Sequence, residues 1–228
     1  MGEAKGFHVA LTRKVTRLSR ATNSKEARLA EGYDFTQDWF SHNQAAWREV
    51  LRRGNPSRFL EIGSFEGRSA TFLIDLVAAK RPMELHCVDP WQGIELIQAA
   101  EARFDENIAL ALAAAPHPVK FKKYKALSST VMINMLASGG REYFDFVYVD
   151  GSHTGPDVLL DAVLAFQLTK VGGLLIFDDY NWAEEPAGSE DYYNLPKPAV
   201  DAFVNIHRRK LEILKLPLYQ LYLRKRAA

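Results

Sequence analysis

Short runs of consecutive apolar residues alternate along this chain with longer segments in which apolar residues recur every three or four positions. The runs predict strands buried on both faces, and the periodic segments predict helices packed against them. The first periodic segment covers about 36–53, with Trp39, Phe40, Trp47 and Val50 on its apolar side, and Gly54-Asn55-Pro56 stops it. Strands are predicted at 58–62, 84–88, 119–124, 144–149 and 174–177, with helices between them at about 68–79, 94–114, 128–136 and 156–168. Alternation at this length argues for a parallel sheet covered on both faces. The ending differs. After a helix near 197–207, strands at 211–214 and 218–223 are joined only across Lys215-Leu216-Pro217. So short a link permits only an antiparallel hairpin.

Composition adds limits. At 228 residues, 47% hydrophobic and 25% charged, the chain is globular rather than disordered, collagen-like or stapled by disulfides. Residues 1–54 read as an N-terminal helical extension of the same domain that 55–228 builds. The single cysteine, Cys87, excludes an intramolecular disulfide and a thiolate metal site, so a reducing, cytoplasmic compartment is expected. The longest apolar run, 171–177, is too short to cross a bilayer, and no membrane partner is expected. Residues 8–25 are basic, rich in Ser and Thr and free of acids. They read as a cleaved transit peptide or as a surface helix, since Leu11, Val15 and Leu18 recur at helical spacing.

The net charge of +1 conceals an uneven distribution. Residues 1–30 carry +5, residues 208–228 carry +6, and the 177 residues between them carry −10. The basic ends raise nucleic-acid binding as a rival class of function, but an acidic centre would repel phosphate, and no nucleic-acid partner is expected. A homo-oligomer is compatible with the sequence, which does not fix the state.

In an open α/β sheet, ligands bind beyond the carboxyl ends of the strands. Three strand ends here carry acids: Asp89, Asp150 and the Asp178-Asp179 pair. Gly63 and Gly67 let a ligand approach the backbone, but their spacing lacks the Gly-x-Gly-x-x-Gly cradle for a pyrophosphate, which disfavours a dinucleotide reductase. Asp89, 26 residues after Gly63, can accept both hydroxyls of a ribose or serve as a turn residue. Asp178 and Asp179 follow Asp150 by 28 and 29 residues, at the end of the next strand. Adjacent strands lie about 4.8 Å apart, so the three carboxylates can converge on one ion, and an oxygen-only set suits Mg²⁺. The alternative is that they cap helices or orient loops.

Four segments together resemble a known family: Phe59-Leu-Glu-Ile-Gly-Ser-Phe-Glu-Gly-Arg-Ser69, Val88-Asp-Pro-Trp91, Phe146-Val-Tyr-Val-Asp-Gly-Ser-His153 and Gly172-Gly-Leu-Leu-Ile-Phe-Asp-Asp179. They look like a class I S-adenosylmethionine-dependent methyltransferase, closest to the methyltransferase domain 24 group and the catechol-type, metal-dependent O-methyltransferases. The likeness covers about 56–225 and implies a Rossmann-like doubly wound sheet of seven strands, order 3-2-1-4-5-7-6, with the last strand antiparallel. It implies that Glu61, Gly63, Ser64, Gly67 and Ser69 line the methionine end of the cofactor and that Asp89 holds the ribose. Trp91 and the Leu127-Ser128-Ser129 turn would lie near the adenine, and Asp150 beside the cofactor.

The resemblance also places metal ligands at Asp150, Asp178 and Asp179, and a general base at His153, where catechol-type enzymes carry lysine. Histidine suits proton removal near neutral pH, though it could equally cap the next helix or add a metal ligand. A bound divalent ion would lower the pKa of a substrate hydroxyl, His153 would take the proton, and the oxygen would attack the sulfonium methyl. The stretch after Asp179, with Tyr180, Trp182, Tyr192 and Tyr193, reads as a substrate lid or as a loop packed on the sheet edge. The expected acceptor is a small hydroxylated molecule such as a sugar or phenol. A metal-independent methyltransferase is the nearest alternative, and a binding module without catalysis is disfavoured by the intact Asp150, His153, Asp178 and Asp179.

Overall fold

The computed structural model describes residues 32–93, 95–183, 186 and 188–228. The basic stretch 8–25, read above as a transit peptide or surface helix, lies outside the described residues. The chain divides into two compact units, Met1–Asp34 and Phe35–Ala228, and everything below concerns the second.

Its centre is a seven-stranded sheet in the order β3-β2-β1-β4-β5-β7-β6. The strands are β1 (Arg58–Ile62), β2 (Met83–Asp89), β3 (Val119–Lys125), β4 (Phe144–Val149), β5 (Thr169–Phe177), β6 (Leu211–Ile213) and β7 (Leu221–Lys225). The first five run parallel, while β7 lies antiparallel to both β5 and β6. The central strands β1, β4 and β5 are buried on both faces along most of their length, which is why their sequences are mostly apolar. The edge strand β3 instead alternates, and its Lys120, Lys122 and Lys125 deter pairing with a further strand.

Helices α1 (Gln44–Gly54), α2 (Arg68–Leu73), α3 (Glu95–Ala114), α4 (Ser128–Ala137), α5 (Gly155–Leu168) and α6 (Pro196–His207) pack around the sheet. One π turn, Ile74–Ala78, continues α2. Helix α1 ends as its sequence requires: Asn55 takes a left-handed conformation and donates its N–H to Leu51 O, and Pro56 prevents continuation. No described helix is long and apolar enough to cross a membrane.

Three predicted bounds change. The helix expected from residue 36 begins only at a 3-10 turn, Ser41–Asn43, that leads into α1. The preceding residues are held elsewhere: Thr36 donates through its N–H (2.7 Å) and hydroxyl (2.6 Å) to Glu66, and Asp38 accepts the Ser41 N–H at 2.9 Å. Strand β5 starts at Thr169 rather than 174, passing through Gly172 at φ 86°. The last strand starts at Leu221 rather than 218, because residues 218–220 turn across the end of the sheet.

The C-terminal basic segment is not wholly a solvated patch. Lys225 is buried, its Nζ donating to Phe166 O (3.0 Å) and Thr169 O (2.8 Å) and pairing with Glu142 at 3.0 Å. This ties β7 to the end of α5.

Candidate active site

The carboxyl ends of β1, β2, β4 and β5 open into a cavity of about 790 Å³. Its position follows from the chain's turns. Gly63, at φ +82°, lets β1 leave the sheet directly beneath the end of β4: a Cβ there would lie 1.8 Å from Asp150 O. Gly67, also at φ +82°, opens α2. The loop between them is stapled from beneath. Glu61, fully buried, accepts hydrogen bonds from Ser69 Oγ (2.5 Å), Ser64 Oγ (2.8 Å) and Cys87 Sγ (3.4 Å). Burial pushes its carboxyl up to about 7, more than these donors draw it down. Asp89 is bound as firmly, accepting the N–H groups of Ser64 and Phe65 (both 2.9 Å) and Trp91 (2.7 Å).

Of the residues expected at the cofactor, Gly63, Ser64, Ser69, Asp89, Ser128, Ser129 and Asp150 line this cavity. Glu61 and Gly67 stand behind its wall, supporting the loop. Trp91 turns away: its Nε1 donates to Phe65 O at 2.8 Å, and its ring packs 4.9 Å from Phe104. A strap of residues covers the loop; the sequence offered Trp39 and Trp47 as closing this side of the pocket or, more readily, as core, and Trp47 is core while Trp39 lines the cavity. Trp39 stacks on Phe65 with ring centroids 4.9 Å apart, Arg68 Nε donates to Gln37 O at 3.1 Å, and Glu66 anchors Thr36. Glu66 and Arg68 lie inside the quoted glycine motif, so a charged residue on each side of Gly67 was the available signal.

At the other end of the cavity stand the strand-end acids. Asp150 and Asp178 share one phenol: Tyr148, buried beneath them, approaches Asp150 Oδ2 at 2.9 Å and Asp178 Oδ2 more closely. A single hydroxyl proton cannot serve two ionised carboxylates, so the cluster has room for an added positive charge. Burial, followed by the charges of Asp178 and Asp179, holds the Asp150 carboxyl well above the usual carboxylate range, and burial raises Asp178 likewise. Asp178 also accepts from Gln220 Nε2 (3.0 Å) and the Asp179 N–H (2.8 Å). Among the described residues, no three His, Cys, Asp or Glu side chains surround a common point in a ligand arrangement.

Asp179 faces outward at φ 52°. Its Oδ2 meets His153 Nε2 at 2.7 Å, and its Oδ1 accepts the Tyr219 hydroxyl at 2.9 Å. The imidazole stacks on Trp182, with centroids 4.4 Å apart. Thus His153, Asp178, Asp179 and Trp182 come together at the cavity, joined by Tyr219. Tyr180 does not: its hydroxyl donates to Asp201 at 2.6 Å, and Lys197 lies over its ring. Tyr192 and Tyr193 form an exposed 3-10 turn away from the cavity wall. Tyr148, Tyr219 and Gln220 lay in apolar-looking strand segments, and nothing in their spacing marked them.

Residues 60–180, more than half of the chain, match the model of a methyltransferase domain family. No curated protein matches the sequence. Among solved structures, the chain is similar to the O-methyltransferase TomG from Streptomyces achromogenes, involved in tomaymycin synthesis and solved with S-adenosylmethionine (17% identity, 90% of this chain and 89% of that one, TM-score 0.57). It is similar to the Podospora anserina methyltransferase PaMTH1, solved with S-adenosylhomocysteine (15% identity, 91% and 96%, TM-score 0.53). A third is the MycE methyltransferase of the mycinamycin pathway, solved with Mg and S-adenosylhomocysteine (16% identity, 88% and 53%, TM-score 0.55). At these identities the likeness is one of fold. The matched family, the seven-stranded order and the cavity at the parallel strand ends agree, and the chain belongs to the methyltransferase domain family of S-adenosylmethionine-dependent methyltransferases.

Proposed function

We propose that the protein transfers the methyl group of S-adenosylmethionine to a hydroxyl oxygen of a small molecule, with His153 as the base. The observation that carries this reading is the His153–Asp179 contact of 2.7 Å at the cavity wall, with the ring stacked on Trp182. With Nε2 directed at Asp179, Nδ1 is the nitrogen free to take a proton. Asp179, itself held by Tyr219, orients the ring and favours the imidazolium that forms. The acceptor O–H gives its proton to Nδ1, and the oxygen forms a bond to the methyl carbon as the carbon–sulfur bond breaks. Sulfur keeps the electron pair and becomes a neutral thioether. Since the methyl is already activated, the protein's task is chiefly positioning. The acidic wall also favours the cationic sulfonium over the neutral product, which aids release.

Asp150, Asp178 and Asp179 would hold a divalent cation such as Mg²⁺. Their oxygen-only donor set fits it, with a single phenol proton between Asp150 and Asp178 at the neighbouring ends of β4 and β5, though the three carboxylates do not surround a common point. Such an ion would supply charge that lowers the pKa of the acceptor hydroxyl. A metal-independent reaction is favoured by a different observation: both oxygens of Asp179 are engaged, by His153 and Tyr219. Binding of Mn²⁺ to the protein, read by water-proton relaxation, separates the two. Saturable binding that Asp178→Ala abolishes supports the metal site, and its absence supports the His153–Asp179 pair acting alone. Aromatic Trp182 and Tyr219 beside the base suit a phenol or a sugar carried on an apolar natural product.

The reaction is tested with methyl-labelled cofactor and a panel of phenols and glycosides. Label recovered as an ether, and lost in His153→Gln while S-adenosylhomocysteine still binds, is the expected result. Label on nitrogen or sulfur, or undiminished transfer by His153→Gln, would refute it.

A further inference from the structure

A second hollow, of about 660 Å³, lies between helix α4 and the outer strands β2 and β3, and it shares no lining residue with the cavity at the strand ends. It opens where α4 runs out. The chain returns towards β4 through Ser138, Gly139 and Gly140, so no large side chain fills the space, and a Cβ on Gly139 would meet nothing within 4 Å. The floor departs from the apolar faces usual in a parallel sheet. Strand β2 turns Leu85 and Cys87, both fully buried, to one face and the alternate residues Glu84 and His86 to the hollow. Glu84 is engaged at both oxygens: Oε1 meets His86 Nε2 at 2.6 Å and Lys120 at 3.1 Å, and Oε2 accepts the Tyr143 hydroxyl at 2.9 Å. Burial holds His86 below its ordinary pKa against the pull of Glu84, and Lys122 and Lys120 lower it further, so the imidazole is neutral at pH 7. Lys125, also on the wall, is paired with Glu101. Lys122, opposite His86 in the β2–β3 register, differs. It lines the hollow and has no hydrogen-bond or ion-pair partner among the described residues. The unbalanced charge of the hollow is therefore positive.

We propose that this hollow is a binding site for a small aromatic carboxylate, held by Lys122 beneath α4 and separate from the methyl-transfer site. Lys122 selects an anion, and with His86 neutral and Glu84 engaged the floor offers no open charge to a cation. The walls select the body. Tyr124, Tyr143 and Phe144 supply aromatic surface, and Val131 and Met135 of α4 supply apolar and thioether surface, which suits a flat ring better than a bare inorganic ion. The side-chain amide of Asn134, on the same helix, can donate to the carboxylate that Lys122 attracts. The volume falls within the range of small-molecule sites and far exceeds the needs of a single ion.

The test titrates the full chain with 2-naphthoate and with its uncharged counterpart 2-naphthalenemethanol, followed by ligand-observed NMR. Saturable binding of the acid is expected, about tenfold tighter than the alcohol, the lower range of a hydrogen bond to a charged group. Excess S-adenosylhomocysteine is not expected to displace it. Lys122 and Asn134 are both exposed, so substitutions there leave the core intact. Lys122→Glu reverses the charge and Asn134→Trp fills the hollow, and each is expected to weaken the acid by about tenfold or more while melting within a few degrees of wild type. Absence of saturable binding, equal wild-type affinity for acid and alcohol, displacement by S-adenosylhomocysteine, or undiminished binding by either variant would overturn the proposal. The comparison of acid with alcohol uses the wild type alone and stands whatever the variants' stability.

Discussion

Replacing Glu61 by glutamine tests the loop's buried support directly. Glu61 is fully buried on β1, opposite Cys87 of β2 and Tyr148 of β4, and accepts from Ser64, Ser69 and Cys87. Its carboxyl titrates near 7 in the folded protein against 4.5 for an ordinary glutamate. A raised carboxyl pKa means that the native state holds the proton more tightly than the unfolded chain. The associated stability is therefore fully present below pH 4.5 and is lost as pH rises through 7. At 1.36 kcal/mol per pH unit, the loss between pH 4 and pH 8 is about 3 kcal/mol. Glutamine keeps the shape and does not titrate. Urea unfolding of both proteins at pH 4, 5, 6, 7 and 8 should therefore show the variant gaining on the wild type by about 3 kcal/mol across the series. Asp150 and Asp178 titrate upward too, but they are common to both proteins and largely cancel in the difference. A gap between the two proteins that stays constant with pH, or that moves towards the wild type as pH rises, would refute the reasoning.

Gly63→Ala should cost more than 3 kcal/mol and abolish S-adenosylhomocysteine binding, since positive φ costs about 1–2 kcal/mol and the added methyl meets Asp150 O at 1.8 Å; thermal melting and calorimetry check both. A melting temperature within a few degrees of wild type would contradict it. Tyr219→Phe removes the hydroxyl that holds Asp179 but leaves His153 and its stack on Trp182. Turnover should fall about tenfold with little change in cofactor affinity, the loss of one hydrogen bond to a carboxylate, and the pH–rate profile should shift, as steady-state kinetics from pH 6 to 9 would reveal. Lys225→Met should lower stability by about 1–3 kcal/mol, because Phe166 O and Thr169 O lose their buried donor; an unchanged urea midpoint would count against that role.

The strands themselves, the reversed terminal pairing and the strand-end acids were legible in short-range sequence signals, whereas the sheet order came only from the resemblance to the methyltransferase family. Mostly apolar runs such as 144–149 mark buried strands, an acid directly after a run lands at the carboxyl edge, and a short link still forces the terminal hairpin, although residues 214–220 rather than three residues make it. What the sequence hid depends on contacts made at long range. Trp91 follows Asp89 and looked like an adenine neighbour, yet Asp89 accepts the Trp91 N–H and Phe65 O captures its indole, turning the ring onto Phe104. Thr36 continued a helical apolar pattern, but Glu66 draws it out of the helix. Tyr148 alternated like any strand aromatic, and only the pairing of β4 with β5 sets its hydroxyl between Asp150 and Asp178.

Gln220 gives the order of synthesis a consequence. Its side chain accepts from Trp47 Nε1 at 2.9 Å, 173 positions earlier, and donates to Asp178 Oδ2 and to the Tyr148 hydroxyl, 42 and 72 positions earlier. Helix α1 and the ends of β4 and β5 therefore meet on a residue translated after all of them. While the nascent chain still lacks residues 219–225, β5 has an open edge, and Asp178 and Asp179 lack Gln220 and Tyr219. The parallel half of the sheet can form as it emerges, but its reactive edge stays incomplete until the reversed strand slides in beside β5. Any shortening that removes this strand should thus yield a protein that still recognises much of its own core and has no working centre.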